Sequence, residues 1–445
     1  MEPFNAVGLR LNNSSMNPAY LEILNYIWRI IDAWWWLILP FFLEKHFAYF
    51  WLFWRTELWF QRIFKPVMIE VRLPKEMLKP LKAMEVVMTS IHGAVYNPPD
   101  WWEAYIDGQP QTGVSFDIVS VGGQIHFYIR FHADYRDQIE AAIWGQYPLA
   151  EIIEVPDYTK QVPMDIPNKE WDMFGWDYKL EKASQIPIKT YEKFEHPGEK
   201  DEERVDPLGT LLESMSKIKP GEQLWIQIRT SPQGEASAEK FYKAGEELRD
   251  KMARRQAKPK QKSMLREIFD FIMYGAKGAE EEKKEVFPPE MRLTPGEKDS
   301  LMEVEKKISK PIFMVGIRAI YMGKRDVWFK PNFRLVLNYF NNFASPDMNS
   351  LVLWSATLTR VKKSAFLPMN WIQARRAYLK TRKLYRCYRD RLNYKSPLFG
   401  GDQGRFILNV EELATLYHFP AFVTSPVPGL NRVESKQTIP PDLPM

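Results

Sequence analysis

The stretch that most restricts the fold runs from Gly113 to Tyr158, GVSFDIVSVGGQIHFYIRFHADYRDQIEAAIWGQYPLAEIIEVPDY. Val114, Phe116 and Ile118 alternate with Ser115 and Asp117, the period-two pattern of a strand with one buried face. Gly122-Gly123 supplies the positive φ that a two-residue hairpin turn requires. On the return run Ile125, Phe127, Ile129 and Phe131 share one face, and His126, Tyr128, Arg130 and His132 share the other. Asp134 caps a helix in which Ile139, Ala142, Ile143 and Tyr147 recur at steps of three and four. Pro148 stops it, and Ala150 to Val155 reads as another strand. Upstream, Val67, Ile69, Val71 and Leu73 mark a strand, and Leu78, Leu81, Met84, Met88 and Ile91 mark a helix after Pro74. The order strand, helix, strand, turn, strand, helix, strand is the split βαββαβ motif. The predicted class is therefore α+β, with a ferredoxin-like unit over residues 66–160.

Residues 1–65 read as a membrane anchor. The uncharged run from Ala33 to Leu43 is short of the ~20 residues a bilayer span needs. Extending it back to Ile23 reaches that length and takes in Arg29 and Asp32, three apart and able to pair. The expected span centres on Trp34, Trp35, Trp36, Leu37, Ile38, Leu39, Phe41 and Phe42. Phe47 to Phe64, aromatic with Arg55, Glu57 and Arg62 interspersed, suits an interfacial helix. A buried helical hairpin is the competing reading of the same residues. Lys45, Arg55, Arg62 and Lys65 follow the span and only Arg10 lies free before it, which predicts a cell-membrane protein with the bulk of the chain cytoplasmic.

Residues 161–220 are expected as a hairpin extension (Trp176 to Leu180 with Ile186 to Tyr191) and an acidic linker from Phe194 to Asp206. Over 221–359 the pattern again runs strand (Leu224 to Arg229), helix, strand (Pro311 to Tyr321), helix (Asn332 to Phe343) and a weaker strand near Leu351 to Trp354. This predicts a second, diverged ferredoxin-like unit, interrupted by a Lys/Glu-rich insertion over 256–295. Residues 396–445 hold a short helix capped from Asn409 and a Pro-rich tail expected to lie extended.

Charge is concentrated in residues 360–395. Arg360, Lys362, Lys363, Arg375, Arg376, Lys380, Arg382, Lys383, Arg386, Arg389, Arg391 and Lys395 face a single acid, Asp390, in a chain whose net charge is only +5. Trp371, Tyr378, Tyr385 and Tyr388 are interleaved with them. Cations mixed with aromatics suit phosphate contact with base stacking, or an anionic lipid surface. A solvated helix face would have the same composition.

Other chemistries lack their residues. Cys387 is the only cysteine, which excludes intramolecular disulfides and multi-thiolate metal sites. The chain contains no GxxxxGK[ST], HExxH, GxSxG or Rossmann glycine set, and Gly400 to Arg405 lacks the lysine and hydroxyl of a phosphate-binding loop. His126 and His132 are six apart without a carboxylate partner in the local sequence, so no metal or other cofactor is predicted. No nucleophile, base and orienter occur together, and the chain is not expected to be an enzyme.

The segments FDIVSVGGQIHFYIR, YRDQIEAAIWGQYPLAEIIEV, PIKTY, DPLGTLLESMSKIKPGEQLWIQI and LNVEELATLYHFP together resemble an uncharacterised bacterial domain family. That domain occurs ahead of, or encoded beside, FtsK/HerA-like ATPases of type IV secretion and conjugative coupling. The resemblance covers most of the chain from about Val67 onward. It implies a membrane-tethered, non-enzymatic module of a DNA or protein translocation machine. In fused relatives the ATPase would follow the segments resembling Arg432 to Lys436 and Pro440-Pro441, so here the ATPase is expected on a separate partner chain. The expected docking residues are Glu411, Glu412, Leu413, Tyr417, His418, Phe419, Arg432 and Glu434. The alternative is a membrane-associated nucleic-acid-binding protein acting through 360–395. DNA and a second copy of the chain are further expected partners.

Overall fold

The computed structural model describes residues 18–74, 79–194, 206–254, 293–360, 370–392, 404–420 and 429–430. The insertion over 256–292, the acidic run over 195–205, Leu78, Lys362, Lys363, Lys395, Arg432 and Glu434 lie outside them. The described chain divides into two compact units, Met1–Phe64 with Pro98–Pro110, and Lys65–Asn97 with Gln111–Met445.

The first unit is built on one helix, α1 (Pro18–Arg62), with Pro40 inside it. The expected break between a span and an interfacial helix does not occur. At 45 residues α1 is about 68 Å long, so length is not what it lacks. Among the described residues no helix is both long and apolar enough to cross a membrane. The physical reason is composition: α1 carries Glu22, Arg29, Asp32, Glu44, Lys45, Arg55, Glu57 and Arg62, and much of its bulk is Trp and Tyr with polar N–H and O–H groups. The predicted transmembrane anchor is thereby overturned. Trp34 is exposed, and the side chains of Trp35, Trp36, Leu37, Ile38, Leu39, Phe41 and Phe42 lie outside the described residues. Late in α1, Trp51 Nε1 donates to the Tyr105 carbonyl at 2.9 Å and Arg55 Nε to the Ile106 carbonyl at 2.5 Å, holding a π-helical turn at Glu103–Asp107.

The second unit is organised by a continuous antiparallel sheet. Its first half contains β1 (Pro66–Arg72), α2 (Leu81–Val95), β2 (Val114–Val121), β3 (Gln124–His132), α3 (Arg136–Gln146) and β4 (Glu151–Glu154), in the sheet order β4-β1-β3-β2. Gly122 and Gly123, at φ 56° and 90°, make the β2–β3 turn, and a Cβ on Gly123 would lie 2.8 Å from the Ser216 carbonyl oxygen. The second half contains β5 (Trp171–Leu180), α4 (Gly209–Ser216), β6 (Glu222–Gln233), α5 (Glu239–Met252), α6 (Pro295–Ser309), β7 (Ile312–Lys324), α7 (Arg334–Asn341) and β8 (Leu351–Leu353). Its order is β6-β7-β5-β8, the mirror of the first. Each half is therefore a βαββαβ array, with the hairpin of the second replaced by α5 and α6. The two join edge to edge through β2 and β6, paired from Val114↔Thr230 to Val121↔Gln223. Trp176 to Leu180, expected in a local hairpin with Ile186 to Tyr191, instead belong to β5, which pairs with β7 and β8 in the sheet. The alternate aromatics of β5, Phe174, Trp176 and Tyr178, are all buried, which a two-stranded extension would leave wet.

One face of this sheet is apolar and carries the main core. Ile69, Phe116, Ile118, Phe127, Ile129, Ile226, Ile228, Ile317 and Trp176 meet Met84 and Met88 of α2, Ile139 of α3, Leu212 of α4 and Tyr339 of α7. Each such side chain contributes about 1.5–3 kcal/mol by leaving water. A final strand, β9 (Phe406–Asn409), pairs with the first residues of β7 and runs into α9 (Val410–Leu416), whose Leu413 and Leu416 join the same core. Asn409 caps α9, as the sequence predicts, and Glu412 completes a capping box. The opposite face is lined by aromatics and charges and is covered by residues 158–171 and by α8 (Asn370–Arg389).

Candidate nucleic-acid interface

The predicted basic segment folds as α8, and its residues separate by helical periodicity into two faces. Thr381, Leu384, Tyr385, Cys387 and Tyr388 are buried. Arg375, Arg376 and Arg386 are exposed on the other side, and no carboxylate pairs with them among the described residues. Arg382, Lys383 and Arg389 are half-buried between, with Arg389 Nε 3.1 Å from Asp390. Gly175 permits the close seating of α8: a Cβ there would sit 2.8 Å from Leu384 Cδ2. The inner aromatics lock into the sheet, with Tyr388 against Trp225 at 5.4 Å, Tyr158 edge-on to Trp225 at 4.9 Å and Tyr128 stacked on Tyr158 at 5.1 Å.

Beneath the C-terminal end of α8 the sheet presents a row of polar side chains, one per strand. Glu70, Tyr128, Asp117, Gln227, Arg318 and Asp177 are successive cross-strand partners on this face. Their donors take up the carbonyls that a helix end leaves unpaired. Gln227 Nε2 donates to the Tyr388 carbonyl at 3.3 Å, Arg318 Nη1 to Leu392 at 3.2 Å and Arg229 Nη1 to Arg391 at 3.4 Å. Cations at a helix C-terminus are also favoured by its dipole. Arg318 is fully buried and forms a two-point pair with Asp177.

Arg391 closes the helix at φ 51°, a left-handed conformation usually left to glycine. Its guanidinium accounts for that exception. Nη1 donates to Asp157 Oδ2 at 2.6 Å and Nη2 to Asp117 Oδ2 at 3.1 Å. Tyr158 Oη donates to Asp117 at 2.9 Å and lies 2.9 Å from Tyr388 Oη. Burial alone would lower the Arg391 pKa, but Asp117 and Asp157 outweigh it and hold the group above its ordinary value. Burial likewise works to raise the Asp157 pKa, and Arg391 with the Thr159 hydrogen bonds brings it below the usual carboxylate range. Burial, then the neighbouring Arg391, depresses Arg130 to about 10, and burial with Arg318 depresses Arg229 to about 9. These acids are spent on internal pairs, and burial pushes the Tyr158 and Tyr388 hydroxyls far up. The cluster is built to hold a helix end, not to move a proton at neutral pH.

The predicted interface residues therefore have different fates. Arg375, Arg376 and Arg386 are on the water-facing side, while Arg391 is a buried anchor. Lys380 is a strut, donating to the Ser355 carbonyl at 3.2 Å and to Leu358 at 3.0 Å, with its pKa lowered by burial and by Arg376. Arg360 is exposed, outside any helix.

Six of the eight predicted docking residues are packed into the chain's own fold; Arg432 and Glu434 lie outside the described residues. Glu411, Glu412, Leu413, Tyr417, His418 and Phe419 are all buried. Lys307 Nζ meets Glu412 at 2.9 Å with both side chains at 0 % exposure, and Glu412 also accepts from the Ile188 and Asn409 backbone N–H groups. His418 Nε2 lies 2.9 Å from Asp206 Oδ1. Apolar residues of a short helix can face a partner or the chain's own core, and here they face the core. Lys310 Nζ, 2.7 Å from Glu411, also reaches Glu85 at 2.5 Å and ties α9 to α2.

This last pair has a pH signature. Burial works to raise the Glu411 pKa, but Lys310 and Lys306 prevail and lower it. A lowered carboxylate stabilises the fold above the unfolded-state pKa and loses that contribution as pH falls through the folded value. Glu411→Gln should therefore lower the urea midpoint at pH 7, with the gap to the parent narrowing as pH drops below the ordinary carboxylate range. An equal gap at pH 7 and pH 3 would show that Glu411 acts only through its shape.

His126 Nδ1 sits 2.6 Å from Glu70, a partner supplied by the neighbouring strand and so unavailable to local sequence reading. No group of three or more His, Cys, Asp or Glu is arranged to hold a metal ion among the described residues. No protein-family model matches the chain, and a search of curated proteins finds no match.

Proposed function

We propose that this protein is a non-enzymatic nucleic-acid-binding scaffold, in which a rigid double βαββαβ sheet presents the outer face of α8 to a phosphate backbone. The observation that carries the reading is the contrast between the two sides of one helix. Lys380, Arg389 and Arg391 are matched to carbonyls or acids, whereas Arg375, Arg376 and Arg386 stand in water without a carboxylate among the described residues. A solvated helix face normally mixes signs; this one offers a single acid, Asp390, at its far end. The aromatic lock and the Arg391 anchor fix the helix, so little ordering is required when it binds. Docking of an ATPase through residues 411–419 finds no support in the fold, because those side chains are buried.

The test is salt-dependent binding of a fluorescent oligonucleotide. The triple variant Arg375→Glu, Arg376→Glu, Arg386→Glu should lose most of its affinity at low salt. The slope of log affinity against log salt should shrink by about 2–3, since each lost phosphate contact removes about 0.7–0.9. The urea midpoint should not move, because all three side chains are exposed. Binding to anionic vesicles but to no nucleic acid, or parental binding by the variant, would overturn the proposal.

A further inference from the structure

Trp371, Arg375, Tyr378, Arg382, Arg386 and Arg389 succeed one another on α8 at steps of four, three, four, four and three residues. That spacing lays all six along a single stripe about 27 Å long. Aromatic and cationic side chains alternate at its start. Trp371, the bulkiest side chain on the stripe, is 70 % exposed. Tyr378 is fixed in place: Arg382 Nη1 donates to its hydroxyl at 2.7 Å, and the guanidinium lies 5.6 Å from the ring centroid. Leu379 beside it is also exposed, at 51 %. From Trp371 to Lys380 no side chain of α8 is buried; the first that is buried among the described ones is Thr381.

Phosphate neutralisation alone accounts for the arginines and not for an indole held in water in line with them. A duplex keeps its base faces stacked inside and offers Trp371 only sugar and phosphate. An unpaired strand offers phosphates to the arginines and a base face to the ring. We infer that α8 binds single-stranded nucleic acid, with Trp371 stacking on a base while Arg375 and Arg386 contact the flanking phosphates. This rests on the nucleic-acid reading above and specifies its ligand. The stacking contact carries no sequence preference, because every base has a π face.

The experiment compares one labelled 20-nucleotide strand, free and annealed to its complement, by anisotropy with the full-length protein at fixed salt. The single strand should bind more tightly than the duplex. Trp371→Ala should weaken single-strand binding about tenfold and leave duplex binding and the salt slope unchanged, and Trp371→Phe should retain most of the affinity. Equal binding of both forms, or a Trp371→Ala variant that binds the single strand like the parent, would overturn the stacking inference. If Arg375→Glu, Arg386→Glu still abolished binding in that case, the nucleic-acid proposal would stand with the backbone as its only ligand. Absence of binding to either form at low salt would remove both.

Discussion

Arg391→Met should lower the unfolding free energy by about 3–5 kcal/mol, the usual loss when one member of a buried ion pair is removed. The same change should leave the salt slope of nucleic-acid binding where it was. Arg391 is one of twelve cations in a run that reads uniformly as a ligand-facing segment, yet its side chain is only 6 % exposed. Without it Asp117 and Asp157 would keep Ser115, Thr159 and Tyr158 as hydrogen-bond partners and, as their nearest cation, only Arg130, whose Nε is 4.0 Å from Asp157. Relief of the left-handed backbone would offset none of this, because methionine is strained there as well. Urea denaturation and a salt titration on the same preparation check both halves. A parental midpoint together with a smaller salt slope would mean that the guanidinium faces ligand rather than the acids.

Glu412→Leu should be of similar severity, about 3–5 kcal/mol, because it strands the Lys307 ammonium where no water reaches it. Burial already depresses the Lys307 pKa and raises that of Glu412, so each charge depends on the other to stay ionised. Lys307→Met alone should therefore also be strongly destabilising. Combining the two substitutions should recover much of the loss, a favourable coupling that a double-mutant cycle reads directly. Recovery should be incomplete. The Ile188 and Asn409 N–H groups would lose their acceptor, at about 1–3 kcal/mol for each left unpaired. Strict additivity of the two single substitutions would show that the carboxylate and the ammonium do not depend on each other. The pair also explains why α9 belongs to the fold: it binds α6 to the edge where β9 joins β7.

Local sequence carried the elements whose signals are local. The alternation in Val114–Val121 and Gln124–His132 and the glycine pair between them determined a hairpin. Asn409 determined the start of a helix, as a cap residue ahead of it. Each depends on residues within one or two turns of one another, where backbone geometry alone relates side chains. The 1–65 segment shows the limit of the same method. Its aromatic density was counted as apolarity, although Trp and Tyr retain polar groups and the interspersed charges lower the balance below that of a membrane-crossing helix.

Tertiary structure alone decided how those elements are used. That β2 pairs with β6, more than one hundred residues further along the chain, and turns two βαββαβ halves into one sheet cannot be read from either strand, because both edges present the same backbone donors and acceptors. The charges inside Trp171–Leu180 and Ile312–Lys324 were visible as exceptions in apolar runs, but only the β5–β7 register brings Asp177 opposite Arg318. The same holds for the basic helix. Composition located its cations, whereas the sheet beneath decided which of them are matched by acids and carbonyls and which are left in water. Composition specifies how much charge a segment holds; partners distant in sequence determine where that charge is available to a ligand.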